Sequence, residues 1–240
     1  MEKIPEEVST LWLIPARGGS KGIPDKNLKP FCGKSLVGRA VKQALECADN
    51  KDTVFVSTDS KKIKMEAESN GCKVPFMRPA ELASDTASSY SVIIHAINEF
   101  KKSGTNFEKV VLLQPTSPFR IIEDIKGALL LWRPDYDMVV SVNQSKANPY
   151  FNLFEKDSEG FLKISKGNGD FTRRQEVPPV WEYNGAVYVM TVKSLLKGPM
   201  SEFRKIVPYE MPASRGIDLD TPQDWEIAEM IFQNSMTPQS

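Results

Sequence analysis

Leu11-Trp-Leu-Ile-Pro-Ala-Arg-Gly-Gly-Ser-Lys-Gly-Ile-Pro-Asp-Lys-Asn27 is the stretch around which the chain is organised. Its apolar start, closed by Pro and Gly, reads as a buried strand. The loop behind it has small residues that expose backbone N–H groups, and it adds the cations Arg17, Lys21 and Lys26. Backbone donors beside fixed positive charge suit a polyphosphate. A basic surface turn shaped by its glycines is the simpler alternative. Spacing excludes two well-known phosphate loops. Gly33-Lys34-Ser35 would need a glycine at position 28, which is Leu28, and Gly18, Gly19 and Gly22 do not fit Gly-x-Gly-x-x-Gly.

Working outward, Leu11–Ile14 is the first strand. Leu36, Val37, Ala40, Val41, Ala44 and Leu45 form one apolar stripe of a helix over Ser35–Cys47. Thr53–Ser57 is a second strand, and Asp59 or Ser60 caps a helix that runs to about Asn70 and stops at Gly71. Lys73–Met77 is expected as a short third strand. The polar run Arg78–Ser89 is a loop, and Val92, Ile93, Ala96, Ile97 and Phe100 mark the inner face of the next helix. Lys109–Leu113 is an apolar strand that enters the loop Gln114-Pro-Thr-Ser-Pro-Phe-Arg120. A helix around Ile125–Trp132 and a strand at Met138–Val142 follow. Strands alternating with helices imply a parallel sheet with helices on both faces and ligands at the strands' carboxyl ends. The loops after the first, third and fourth strands therefore share one site.

The alternation breaks between 143 and 179, where Asn, Lys, Gly and Pro are frequent. Asp157-Ser-Glu-Gly160, between Phe151–Lys156 and Phe161–Ser165, is a hairpin signal, so this reads as a β-rich insertion within one domain spanning 1–240. Ala186–Met190 resumes the sheet. A late strand precedes Gly216-Ile-Asp-Leu-Asp220, and Thr221-Pro222 opens the last helix.

Lys+Arg and Asp+Glu are both 31 in 240 residues, a neutral balance that argues against a nucleic-acid binder. Three cysteines without Cys-x-x-Cys spacing fit reduced thiols and a cytoplasmic setting. The first ten residues lack a signal-peptide apolar core, and no run reaches membrane-span length, so no membrane partner is expected.

Asp218 and Asp220 are two positions apart, which on extended backbone puts both carboxylates on one face. Such a pair suits Mg²⁺ shared with phosphates, and helix capping is the plainer use of one of them. Arg78 and the Ser84–Ser89 loop can read a base edge, and Gln114 offers a neutral amide at a strand end. Arg173 and Arg174 form a possible carboxylate fork, although an Arg pair is more often solvated. The single histidine, His95, sits among apolar helix positions and reads as structural, against a Ser-His-Asp hydrolase.

Together these segments resemble the acylneuraminate cytidylyltransferase family, which makes CMP-sialic acid and activates related keto-deoxy acids. The likeness runs from about Leu11 to Ala228. It rests on Ala16-Arg-Gly-Gly-Ser-Lys-Gly22 with Lys26-Asn27, Val56-Ser-Thr-Asp59, Arg78–Ser89, Leu113-Gln-Pro-Thr-Ser-Pro118, Asn184-Gly-Ala186 and Ile217-Asp-Leu-Asp220. The resemblance implies a Rossmann-like three-layer α/β nucleotidyltransferase fold with a mostly parallel sheet. It also implies a homodimer in which the inserted segment, 143–179, covers the partner's site. The implied reaction joins CTP to a nonulosonic acid, with Mg²⁺ as cofactor. Arg17, Ser20, Lys21, Lys26 and Asn27 would serve the triphosphate and ribose, and Arg78, Ala87 and Ser89 the cytosine. Gln114 would lie beside the sugar, Asp218 and Asp220 would hold the metal, and Arg174 would meet the acid's carboxylate from the neighbouring subunit. The catalytic set is thus Arg17, Lys21, Gln114 and Asp218. Asn148–Phe154 lacks a lysine that some sialic-acid members carry, which leaves the acid open. A nucleotidyltransferase for a sugar 1-phosphate and a non-catalytic nucleotide-binding module are the alternatives.

Overall fold

The computed structural model describes residues 9–20 and 22–236. Ten strands form in chain order: β1 Thr10–Pro15, β2 Pro30–Phe31, β3 Lys34–Ser35, β4 Thr53–Ser57, β5 Lys109–Leu113, β6 Met138–Gln144, β7 Phe154–Lys156, β8 Leu162–Ile164, β9 Trp181–Thr191 and β10 Ile206–Glu210. The helices are α1 Leu36–Cys47, α2 Lys61–Ser69, α3 Ser89–Lys102, α4 Ile122–Leu131, the single turn α5 Val192–Leu195, and α6 Pro222–Met236. Six strands make one sheet in the order β10-β6-β9-β5-β1-β4.

Every residue of β1 from Thr10 to Ile14 is buried, so the central strand is covered on both faces. α1 packs on β1 and β4 and touches α2 and α4, while α3 packs on β1 and α4 on β6, β9 and β10. The result is an α/β fold with a mostly parallel sheet. It is mixed rather than all-parallel, because β9 runs antiparallel to both β5 and β6. The reason is connectivity. β9 returns directly from the insertion, without a crossover helix to reverse it.

Local chemistry accounts for the helix starts. Ser35, Ser60 and Ser88 each accept a backbone N–H from three residues on, capping α1, α2 and α3. Ser60 is therefore the cap of α2, which leaves Asp59 free for another use. Thr221 and Asp224 bond reciprocally at the start of α6, as Thr221-Pro222 suggested.

Two expected elements differ. Lys73–Met77 is not a strand. Pro75 has no N–H to give to a ladder, so the segment runs irregularly along the edge, with Cys72 and Val74 in the core. The insertion hairpin pairs only Phe154–Lys156 with Leu162–Ile164. Ahead of it, the N–H groups of Phe151, Asn152 and Leu153 all turn back to the carbonyl of Asn148. No helix among the described residues is long and apolar enough to cross a membrane. Cys32, Cys47 and Cys72 are unbridged.

Asp137 ties the far edge together. Its carboxylate accepts from Ser194 Oγ at 2.6 Å and from the N–H groups of Arg204 and Lys205 at 2.9 and 2.8 Å. These bonds pull its pKa down to about 2. A depressed carboxylate stabilises the fold above its unfolded value near 4, and that contribution disappears as pH falls through the folded value. Asp137→Asn is expected to lower the melting temperature by about 3 °C at pH 7. The difference should vanish near pH 2 in melts followed across pH.

Candidate active site

A cleft of about 490 Å³ opens at the carboxyl ends of β1, β4 and β5, and three loops wall it. Arg17, Ser20, Lys26 and Asn27 come from the loop after β1. Arg78, Ala87 and Ser89 come from the 78–89 segment, and Gln114 from the end of β5. Asp220 enters from the segment before α6. The loops after β1 and β5 thus line one cleft, and the 78–89 loop joins them although no strand precedes it. Lys21 lies outside the described residues.

The first loop is held by carboxylates. Asp59 accepts Gly18 N–H at 2.9 Å, and Asp85 pairs with the Arg17 guanidinium at 2.8 Å. Asn27 braces the loop from beneath by donating its amide to the Arg17 carbonyl at 3.0 Å. An anion that takes up Arg17 must compete with Asp85. Arg78 is almost fully buried and commits much of its guanidinium to the protein. Nε and Nη2 bond to Ser57, and Nη1 reaches the Leu82 carbonyl at 3.5 Å. Burial lowers its pKa to about 10, with Asp59 opposing that shift. Two of its five N–H groups are left over, so Arg78 shapes the 78–89 loop as much as it faces the cleft.

Asp218 and Asp220 alternate with Leu219, which is fully buried. Leu219 sits in a small cluster with Ile23, Phe31, Leu36, Trp225 and Ala228. Its N–H bonds to the Thr116 carbonyl at 3.0 Å, and its carbonyl accepts Lys26 Nζ at 2.7 Å. The side chains on either side of Leu219 are left out of that cluster, and Asp220 lines the cleft. Lys26 also pairs with Asp220 at 3.0 Å. Gly22 packs so closely that a Cβ there would lie 2.3 Å from the Asp220 carbonyl oxygen.

Asp218 lines a second cavity of about 330 Å³ with Asn143, Asn184, Gly185 and Tyr188. Gln114 lies on the wall of both cavities. A third, apolar cavity of about 360 Å³ adjoins Gln114 and is walled by Leu112, Met138, Tyr188, Met200 and Phe203. The second cavity owes its shape to an irregularity in β9, whose pairing with β6 shifts between Val140 and Val142. Gly185 takes φ +74° there, a left-handed conformation that glycine adopts freely. Asn184 Oδ1 receives Ser141 Oγ and Ala186 N–H, filling the break with hydrogen bonds. Sequence reading assigned no role to Asn184, Gly185 or Tyr188. The Asn-Gly pair inside a strand pattern was the available signal for a bulge.

Arg174 does not join these cavities. It lines a separate groove on the insertion with Lys146 and Asn148. His95 stacks edge-on against Phe76 at 5.7 Å, and burial lowers its pKa, which accords with a structural part.

Among the described residues no three His, Cys, Asp or Glu side chains converge. The two carboxylates nevertheless fit a hard divalent cation. Burial raises the pKa of Asp218, and the charge of Asp220 adds to this, while Thr116 and Lys26 offset it only partly. Two oxygen donors, of which Asp220 would exchange Lys26 for the metal, suit a cation whose remaining shell is phosphate and water. The raised value has a stability consequence. Ionised Asp218 costs more in the folded than in the unfolded chain, so stability falls as pH rises through the folded pKa. Asp218→Asn is expected to raise the melting temperature at pH 7, and the gain should close as pH falls to about 4. A lower melting temperature at pH 7 would contradict the strain assigned to this carboxylate.

The family described as Cytidylyltransferase matches residues 11–235. The chain is 34% identical over 224 residues to the CMP-N,N'-diacetyllegionaminic acid synthase of Legionella pneumophila, covering 93% of this chain and 96% of that protein. It is 33% identical over 225 residues to the N-acylneuraminate cytidylyltransferase of Escherichia coli O18:K1:H7, covering 92% of this chain. There it spans about half of the relative's length, 51%. Its fold is similar to that of a CMP:2-keto-3-deoxy-manno-octonic acid synthetase solved with CTP. The TM-score is 0.69 at 19% identity, covering 95% of this chain and all of that one. With a matched family spanning nearly its whole length and a near full-length relative above 30% identity, this chain belongs to the cytidylyltransferase family.

Proposed function

We propose that this chain joins CTP to a nonulosonic acid, giving the CMP-sugar and pyrophosphate. One observation carries the reading. Gln114 stands on the wall shared by a cationic cleft and a polar cavity, with Asp220 at the first and Asp218 at the second. That is the arrangement needed to bring a polyphosphate and an acceptor hydroxyl together.

The triphosphate takes Arg17 from Asp85 and lies along the loop of Ser20, Lys26 and Asn27. Lys21 is assigned to it by its place in that loop. The base faces Ala87 and Ser89, with Arg78 holding their loop. Gln114 orients the acceptor's anomeric hydroxyl, which attacks the α-phosphorus in line. The new P–O bond forms as the bond to the leaving pyrophosphate breaks, and the hydroxyl proton leaves to solvent. Positioning and charge neutralisation carry such a transfer, without a nucleophilic side chain. Asp218 and Asp220 would hold Mg²⁺, which would supply charge neutralisation at the phosphates. The apolar cavity beside Gln114 suits an acylamido group of the sugar.

The insertion belongs to this reading as the contact with a second copy. Phe154, Phe161 and Leu162 are half or more exposed on it, and Arg174 faces its own groove rather than the cleft. In a homodimer, Arg174 of one copy would meet the carboxylate of the acid bound by the other.

Pyrophosphate release is to be measured with each of the four nucleoside triphosphates against neuraminic, legionaminic and pseudaminic acids and a sugar 1-phosphate. Turnover is expected with CTP, a divalent cation and at least one nonulosonic acid. The legionaminic arm is the first to run, because a relative 34% identical over 96% of its own length is named for that acid. Turnover with the sugar 1-phosphate alone, or CTP binding with no release on any acceptor, would overturn the reading. Gly22→Ala tests how closely the first loop docks on Asp220. It is expected to weaken CTP binding about tenfold by calorimetry, a change of about 1.4 kcal/mol.

A further inference from the structure

Arg120, at the end of the Gln114–Arg120 loop, is only 2% exposed. Its Nη1 donates to the Gln114 carbonyl at 3.1 Å and to the Ala186 carbonyl at 2.6 Å. Its Nε and Nη2 both donate to Gln43 Oε1 on α1, at 3.2 and 2.9 Å. Gln43 returns its amide to the Arg120 carbonyl at 2.5 Å. The guanidinium is thus fixed at both ends.

The place matters. β5 and β9 pair as far as Leu113 and Val187. Gln114 and Ala186 come next, but there β5 ends and β9 enters the bulge around Gly185. We propose that Arg120 is a positioning residue that replaces the ladder at this point, clamping the Gln114 and Ala186 carbonyls together. The clamp sets the distance between the Gln114 side chain and the bulge that faces it. A Cβ on Gly185 would lie 3.5 Å from Gln114 Oε1, so a small movement of Ala186 changes the acceptor side of the site.

Charge economy supports this assignment. Among the described residues, the Arg120 guanidinium bonds only to neutral groups. The nearby carboxylate, Asp124, is engaged by Arg215 at 3.0 and 2.9 Å. Burial lowers the Arg120 pKa to about 10. A buried cation without a bonded carboxylate is costly, and an apolar side chain of similar volume would avoid that cost. Only the guanidinium provides a planar set of donors that reaches two carbonyls on one side and Gln43 on the other.

The proposal rests on the acceptor reading above, and its test separates the two. Arg120→Lys and Gln43→Met are made in the full chain. Hydrogen exchange, which needs no substrate, is expected to rise in Arg120→Lys at peptides covering 184–187, with β1 and β4 unchanged. With CTP saturating, kcat/KM for the acid should fall about ten- to a hundredfold while CTP affinity by calorimetry stays within about twofold. Gln43→Met should follow in the same direction, about three- to tenfold. Gln114→Ala should add little on top of Arg120→Lys, as coupled residues do. Acid kinetics within twofold of wild type, or acid and CTP parameters falling together with exchange raised throughout the sheet, would overturn the proposal. Should Arg120→Lys fail to fold, unchanged acid kinetics and exchange in Gln43→Met would overturn it equally. A wild-type chain inactive with every acid would sink the acceptor reading while the exchange result still decides the clamp.

Discussion

The burial of Leu219 holds the candidate site together. This side chain fills a small core with Ile23, Phe31, Leu36, Trp225 and Ala228, separate from the main core around β1. Phe31 meets Trp225 and Phe119 edge-on at 5.5 and 5.9 Å, so the loop after β5 joins the same cluster. Segments from the beginning, middle and end of the chain therefore converge on a few apolar side chains. Burying a leucine contributes about 2 kcal/mol, while ordering backbone costs about 1–2 kcal/mol per residue, so the whole cluster is needed to hold these segments. Because Leu219 points inward, Asp220 is left to the cleft and Asp218 to the neighbouring cavity. The aim of the two carboxylates is a by-product of packing.

The same docking explains the density of close contacts around the first loop. Lys26 bridges the Leu219 carbonyl and Asp220, and Gly22 lies against the Asp220 backbone. The loop has few side chains of its own to bury, so its position is borrowed from the segment it touches. Asp59 holds its Gly18 N–H and Asp85 its Arg17 guanidinium, which places acceptors where an anion would bind. Such a loop is ordered in advance and needs only an exchange of one partner for another.

The acceptor side is built by a different device. The sheet is regular up to Leu113 and Val187 and is then deliberately broken. Gly185 turns the chain, Asn184 and Ser141 fill the break with hydrogen bonds, and Arg120 spans it from behind. Bulges occur where a strand must re-aim side chains, and here the break separates two cavities that share Gln114. Asp124 and Arg215 brace the segment that leads to Asp218 from the start of α4.

Much of this was legible in the residues alone. Apolar periodicity marked β1, β4, β5, β6 and the helices, because local burial leaves a local pattern. The capping serines and the Thr221–Asp224 pair were readable for the same reason. The two-residue spacing of Asp218 and Asp220 suggested one shared face, whereas the fold gives Asp220 to the cleft and Asp218 to the cavity beside it. The loop after β1 announced its cationic chemistry by composition. Other features are products of tertiary structure. The direction of β9 depends on how the insertion returns, which no short window contains. Pro75 was visible, yet its power to cancel an edge strand depended on what lay beside it. Arg78 reads in sequence as a base-facing donor, and only the fold reveals that Ser57 claims much of it. Arg120 and Gln43 are 77 positions apart, and nothing in either segment connects them. Sequence determined which chemical groups were available. The long-range packing of Leu219 and the break in β9 decided which of them meet, because contacts between distant residues are set by the whole core rather than by their neighbours in the chain.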